Sequence, residues 1–220
     1  MSLRGPLPRY VTTEYLEHLH LRSGVGSGKA GDCCIIQERR RWDGLDPRSD
    51  DIPDDDSIVV GKLLIQLNDA SAVWRAKLGP YAVRLRGSGR AGDERRAIRL
   101  VDWTLREILP DAIDSTVALS GDSEPIRELA RMAGELRAAK PVAAIATLAD
   151  LDALAARAAL ATRAAIAARA AIADLAVLAA LADHGALDDL AKSEATIWPR
   201  IAALLDELLG MSDEAAGGAS

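Results

Sequence analysis

Phenylalanine is absent from this 220-residue sequence, and aromatic residues account for only 3% of it. β-Sandwiches and barrels draw heavily on aromatic and β-branched side chains, so their shortage disfavours both architectures. The apolar residues, 49% of the chain, are mainly Leu, Ile, Val and above all Ala, and alanine is the strongest helix former. The composition therefore predicts an all-α fold of thin, closely packed helices.

Cysteine is scarce as well, since Cys33 and Cys34 are the only two and are adjacent. A disulfide between neighbours is strained, so we expect free thiols in a reducing compartment. A reactive thiol at a helix start, with His18 or His20 as its base, is one interpretation. Asp32 beside the pair opposes a low thiol pKa, and the favoured interpretation is a pair of buried structural cysteines.

Residue types that bind metals are equally sparse. The sequence has three histidines, and His18 and His20 would point about 200° apart on one helix. The acidic loop at 43–56 lacks the alternating aspartates and central glycine of an EF-hand. We therefore expect no metal, no cofactor and no catalytic residue.

A glycine-rich loop at residues 24–30 has some features of a phosphate-binding loop. However, Ser23 occupies its first glycine position, and Ala30 replaces the hydroxyl residue that would bind Mg²⁺. A helix precedes it where a strand is needed. We interpret the segment as a flexible connector.

The sequence has no long uncharged apolar run and no apolar core near its first residues. Seven charged residues interrupt the Ala-rich stretch at 141–183, and each would cost about 2.5–3.5 kcal/mol at a bilayer centre. We therefore expect a cytoplasmic protein without a membrane segment.

Helix signals divide the chain into four predicted parts. These are a flexible N-terminus (1–11), a compact helical domain (12–140), an Ala-rich helical region (141–210) and a disordered tail (211–220). The net charge of −6 comes entirely from residues 141–220, because the preceding residues have equal numbers of acidic and basic side chains.

Caps and prolines predict individual helices within these parts. Thr12 or Thr13 begins a helix that runs to Leu21, and Asp32 caps a second one at 33–42 whose arginines at 39–41 face water. The acidic cluster at 54–57 caps a third helix.

Asp93 caps a fourth predicted helix, which ends at Pro110. Its apolar side chains recur at a period of 3.6 residues and form its core face: Ile98, Val101, Leu105 and Ile108. Pro199 marks the start of the last helix.

Six-residue blocks repeat five times from Leu154, beginning LAARAA, LATRAA and IAARAA. A helix is favoured because the blocks are rich in alanine, and the alternative is a hexapeptide β-helix over 148–183. On a helix each block rotates by about −120°, which spreads arginine and aliphatic side chains around the circumference. Such a helix has no single polar face and must be covered on several sides.

Six arginines surround the glycine-rich link at 87–92 and form the most basic part of the chain: Arg84, Arg86, Arg90, Arg95, Arg96 and Arg99. Arginine clusters bind phosphate groups, so this patch is a candidate nucleic-acid site. Asp93, Glu94 and Asp102 lie among them, and no aromatic residue is placed to stack on bases.

Several segments of the front half also carry a family resemblance. They are Leu19-His20-Leu21-Arg22-Ser23-Gly24, Gly31-Asp32-Cys33-Cys34, Leu67-Asn68-Asp69 and Val101-Asp102-Trp103. With these segments the sequence resembles a family of actinobacterial and bacteriophage proteins of unassigned function, whose members often carry an Ala/Arg-rich helical tail. The resemblance covers roughly residues 13–110 and implies a phage or mobile-element context without implying an activity.

The sequence departs from the family pattern in the acidic loop. The family has a second cysteine and a His-Pro pair there, where this chain has Ile52-Pro53-Asp54. This departure argues against a shared thiol or metal site.

From these features we expect a non-enzymatic helical interaction or assembly protein that contacts a protein partner or a second copy of itself. The alternative is a nucleic-acid-binding protein that uses the patch from Arg84 to Arg99.

Overall fold

The computed structural model describes residues 6–119, 124–138 and 186–211. Helices joined by turns and loops make up these ranges, and no strand occurs in them. The all-α prediction is thereby confirmed. The predicted helix and its β-helix alternative over 148–183 lie outside the described residues, as does the predicted tail beyond Met211.

Short helices come first in the chain and longer ones follow. They are α1 (Thr13–Glu17), α2 (Ile35–Trp42), α3 (Ile58–Ala70), α4 (Ala72–Arg75), α5 (Gly79–Leu85), α6 (Asp93–Trp103), a π-helical segment (Thr104–Ile108), α7 (Leu109–Leu119), α8 (Glu124–Ala138) and α9 (Ala186–Gly210). The first helix is shorter than predicted, because it ends at Glu17 and not at Leu21.

The chain divides into two compact units. Unit 1 combines the residues up to Arg96 with those from Leu205 onward, and unit 2 holds residues 97–204. The C-terminal turns of α9 fold with the front of the chain, where Leu205 and Leu208 are buried.

The α2 helix lies in the core of unit 1 and packs against α3 and α5. Six of its eight residues are buried, and these include Gln37, Glu38 and Arg39. The prediction that the arginines at 39–41 face water is therefore wrong for Arg39, while the next two are half-buried. Since α2 has almost no solvent face, its polar side chains must find partners inside the protein.

The N-terminus of α3 is capped from two places. Ser57 is the N-cap residue, and its hydroxyl accepts a hydrogen bond from the Val60 N–H. The Ile58 N–H donates to the carboxylate of Asp93, at 2.9 Å. Asp93 was predicted to cap its own helix, so this tertiary cap, 35 residues distant in sequence, is a difference from the prediction.

Pro110 does not end the helix that precedes it. The π-helical segment follows α6 directly, and the N–H of Leu109 bonds to the Thr104 carbonyl, five residues back. Proline lacks an N–H and clashes with the carbonyl four residues back in an α-helix. The wider π turn accommodates Pro110 in the first turn of α7, and the helical path continues to Leu119.

Pro199 also differs from its prediction, because it lies inside α9 and does not begin a helix. The proline is exposed, whereas its neighbours Ile197, Ile201 and Leu204 are buried in unit 2. Burial of this apolar face keeps the helix continuous across a residue that cannot donate its backbone hydrogen bond.

The predicted core face of α6 is only partly correct. Ile108 is buried, but Ile98 and Val101 are half-buried and Leu105 is 36% exposed. The buried side chains of this stretch are Arg96, Ala97, Leu100, Trp103, Thr104 and Ile108, and only Ile108 among them belongs to the predicted face. The other three predicted residues lie on an outer apolar face of the helix.

We expect Pro199→Ala to stabilise the protein by about 1–3 kcal/mol, because a proline costs about 3 kcal/mol in a helix interior. Pro110→Ala is the matched control and should change the free energy of unfolding much less, since the π turn already accommodates the proline. Urea unfolding followed by circular dichroism measures both. Equal effects of the two substitutions would contradict this account of α9.

Candidate functional site

The two cysteines lie where α2 begins, and Cys34 is its N-cap residue. Their exposed fractions are 0% and 2%, and the Cys33 thiol donates a hydrogen bond to the Lys29 carbonyl at 3.0 Å. Burial and the nearby Glu38 carboxylate raise the pKa of Cys33 to about 11. Burial also raises the pKa of Cys34. Both thiols are therefore protonated at neutral pH, which is unfavourable for a nucleophile.

The histidines proposed as base partners both follow the end of α1 at Glu17. His18 is the C-cap residue, and its Nδ1 is 2.8 Å from the Glu14 carbonyl oxygen. This local contact belongs to the helix end. No described contact brings either histidine to a cysteine sulfur.

The glycine-rich loop at 24–30 makes specific contacts. Three of its backbone N–H groups donate to side-chain oxygens of the same chain: Gly24 to Asp69 at 2.7 Å, Gly26 to Gln37 at 2.8 Å and Ser27 to Asp32 at 3.0 Å. These are the groups that would hold a phosphate in a nucleotide-binding loop. Internal acceptors occupy them instead, so the loop has a defined place against α2 and α3 and is not merely a flexible connector.

Gly26 shows how closely this loop approaches its neighbours. A Cβ atom at this position would lie 1.9 Å from the carbonyl oxygen of Asp32. Gln37 holds the same place from the other side, because its amide nitrogen donates to the Gly26 carbonyl at 3.1 Å while its oxygen accepts from the Cys34 N–H at 3.0 Å. A side chain at position 26 would therefore displace backbone.

Glu38 is the centre of one buried polar cluster, which sequence reasoning missed. The carboxylate accepts hydrogen bonds from the Tyr15 hydroxyl, the Arg41 guanidinium and the Trp42 indole N–H. The ring of Tyr10 lies edge-on to Tyr15. The cluster joins α1 to α2 and gives contacts to the end of the N-terminal segment that was predicted to be flexible.

Arg39 is the centre of a second buried cluster. Its side chain is fully buried and lies 2.7 Å from the Asp43 carboxylate and 3.0 Å from that of Asp56. Asp43 also accepts from Arg86 at 2.8 Å, and Asp56 accepts from the Gly87 N–H at 2.8 Å. Part of the acidic cluster predicted to cap α3 therefore compensates a buried cation.

Arg96 is the third buried charge, and it binds the end of α9 within unit 1. The guanidinium donates to four carbonyl oxygens and one carboxylate: Leu208 at 2.9 Å, Met211 at 2.7 Å, Gly89 at 2.8 Å, Ser88 at 2.9 Å and Asp93 at 3.1 Å. Gly92 permits this approach, since a Cβ there would lie 2.8 Å from the Met211 carbonyl oxygen. Arg96 thus satisfies carbonyl groups that the helix end leaves without partners.

The other arginines of the predicted nucleic-acid patch mostly face carboxylates. Arg84 pairs with Asp206, Arg86 with Asp43, Arg90 with Asp54 at 3.2 Å, and Arg99 with Glu107 at 3.9 Å. Arg95 lies exposed on α6 and also has an interaction partner. With Arg96 buried, these contacts do not assemble the six side chains into an open cationic surface.

In unit 2, one carboxylate connects three helices. Asp111 on α7 accepts hydrogen bonds from Arg137 on α8, at 2.9 Å, and from Arg200 on α9. Glu107, in the π-helical segment, also pairs with Arg200 at 3.3 Å. Burial raises the pKa of Asp111, but the hydrogen bonds from Arg200 and Arg137 outweigh it and hold that pKa below its usual value.

The sequence contains weak signals for these clusters. The charged residues of α2 lie between Ile35-Ile36 and Trp42, so a helix buried at both ends would also bury the polar residues between them. The partners of Arg39 are 4 and 17 residues away in the sequence, and those of Arg96 are up to 115 residues away. No sequence period identifies such pairs.

Within residues 6–119, 124–138 and 186–211, no group of three or more His, Cys, Asp or Glu side chains is placed to hold a metal ion. None of the helices described there is long and apolar enough to cross a membrane.

Comparison with known proteins identifies no relative of this chain. No model of a known protein family matches the chain, and no curated protein or solved structure shows significant similarity to it. The resemblance to the actinobacterial and phage family therefore stays a prediction.

We expect both native cysteines to react with a thiol reagent at pH 8 more than about 100-fold more slowly than an ordinary cysteine, because they are buried and protonated. Ellman's reagent measures this. Val25→Cys, at a site that is 57% exposed, provides a fast-reacting control, and both native thiols should react in urea. Fast reaction of Cys33 or Cys34 in the folded protein would revive the reactive-thiol hypothesis.

Arg39→Met should destabilise the protein by about 3–5 kcal/mol, because it leaves Asp43 and Asp56 buried without their cation. Arg48→Met is the control, since that side chain is 79% exposed in its pair with Asp46 and its removal should change stability little. Urea unfolding measures the difference. Similar midpoints for the two variants would show that the buried cluster does not hold unit 1 together.

Proposed function

We propose that the protein is a non-enzymatic helical interaction and assembly protein, of phage or mobile-element origin, whose Ala-rich region contacts a second copy of the chain or a protein partner. The observation that carries the proposal is the three-helix connection at Asp111. Arg137 and Arg200 lie on the helices before and after residues 139–185, and both bind this one carboxylate. The helices before and after residues 139–185 are therefore linked to each other through Asp111.

The amino-acid content of the stretch supports a role in protein contacts. Its repeated blocks place alanine and larger aliphatic residues at most positions. If they wind as the predicted helix, apolar surface faces several directions at once. Extended exposed apolar surface is typical of sites that bind other proteins.

The arrangement of unit 1 supports the same proposal. Its two cysteines are buried, its glycine loop donates to its own side chains, and its buried arginines face carboxylates and carbonyl groups. The groups that would serve a reaction or bind phosphate thus take part in holding the fold. Nucleic-acid binding through the patch from Arg84 to Arg99 is the weaker hypothesis, because carboxylates compensate most of these cations.

Light scattering over a range of concentrations tests the proposal. We expect the full chain to have a mass that is a multiple of 23.3 kDa, and Ile166→Asp, in the middle of the repeated blocks, should shift it toward a single chain. Val73→Asp is the control, since Val73 is 48% exposed on α4 in unit 1. A 23.3 kDa species at every concentration, with residues 139–185 resistant to protease, would contradict the proposal.

A further inference from the structure

Residues 205–211, which include the last turns of α9, complete the core of unit 1. Leu205 and Leu208 are fully buried, and both belong to unit 1 together with the residues up to Arg96. The Arg96 guanidinium and the Leu208 carbonyl that meet there are 112 positions apart in the sequence. Unit 1 is therefore assembled from the front of the chain and from the end of its last described helix.

Arg96 recognises this segment through backbone atoms. An arginine side chain has five N–H donors, and each of the five in Arg96 has an acceptor. Three acceptors come from residues 88–93 and two from the segment, namely the carbonyl oxygens of Leu208 at 2.9 Å and Met211 at 2.7 Å. Because the Arg96 side chain is fully buried, removal of the segment would leave two of its donors without a protein acceptor.

Further contacts fit the same segment to unit 1. Arg84 on α5 pairs with Asp206. A Cβ atom at Gly92 would lie 2.8 Å from the Met211 carbonyl oxygen, so a side chain at this position would displace the segment. We refer to Arg84, Gly92 and Arg96 as the α9 site. Its ligand is the C-terminus of a helix that carries leucine at positions 205 and 208.

We infer that residues 205–211 act as an intramolecular ligand, and that unit 1 closes only when they occupy the α9 site. The residues up to 96 form most of unit 1, and the N-terminal parts of a chain generally fold first during synthesis. Here Arg96 lacks two of its acceptors until the end of α9 arrives. Unit 1 therefore closes late, and loss of the segment by proteolysis reopens it. This inference is separate from the proposed function, because it involves no second molecule.

Hydrogen exchange of the whole chain tests the coupling from the side of the ligand. Leu208→Ala should make the hydrogen-bonded amides of Gly89, Asp93 and Arg96 exchange at least tenfold faster, while amides of α8 in unit 2 keep their rates. Glu207→Ala, at an exposed position on the same turn, is the control and should match the wild type. Unchanged exchange at residues 89–96, or an equal rise in α8, would overturn the inference.

Arg96→Lys tests the coupling from the side of the site. Lysine keeps the positive charge but has three donors in place of five, so it cannot satisfy all the acceptors that surround Arg96. The Met211 amide, which donates to the Glu207 carbonyl, should exchange at least tenfold faster. Arg95→Lys, at the exposed neighbouring position, should leave its rate unchanged. Equal rates in the two variants would contradict recognition through the carbonyl groups.

Shortened chains give a second measurement. A chain that ends at Met211 should keep Cys33 and Cys34 as slow toward Ellman's reagent as the wild type, whereas one that ends at Leu204 should react at least tenfold faster. The shorter chain retains all of unit 2, so the amides of α8 should stay protected in it. Slow thiols in the shorter chain, or loss of protection in α8 as well, would overturn the inference.

Discussion

The guanidinium group of Arg39 is buried among the helices of unit 1, and the arrangement of that unit follows from compensating its charge. Taking a cation out of water costs several kcal/mol unless anions and hydrogen bonds replace the lost hydration. Asp43 and Asp56 supply this compensation at 2.7 and 3.0 Å. To reach Arg39, the acidic loop must fold back on α2, and this positions Asp56 to accept the Gly87 N–H at the start of the next link.

The buried guanidinium of Arg96 also needs hydrogen-bond partners, and this need positions the end of α9. Its donors reach the carbonyl groups of Leu208 and Met211 on one side and those of Ser88 and Gly89 on the other. Because these bonds are buried, the last turns of α9 belong to unit 1 although unit 2 contains the rest of the helix. A residue proposed from sequence as a phosphate ligand is thus a structural connection between distant parts of the chain.

The two units differ in the side chains that they could offer to another molecule. In unit 1 the polar side chains of α2 and the N–H groups of the glycine loop have internal partners. In unit 2 the apolar side chains of Ile98, Val101 and Leu105 are partly exposed, and Asp111 links the helices before and after the Ala-rich stretch. This contrast is why the proposed contacts involve unit 2 and the Ala-rich region, with unit 1 in a supporting role.

Composition and local patterns were sufficient for the all-α class and for Thr12 and Ser57 as caps, because helix propensity and capping act within a few residues. They were insufficient for Arg39 and Arg96, whose burial depends on partners brought together by the fold. The same limit applies to Pro110, Pro199 and the outer apolar face of α6. A proline inside a helix is tolerated only when packing offsets its cost, and periodicity shows that a face is apolar without showing what covers it.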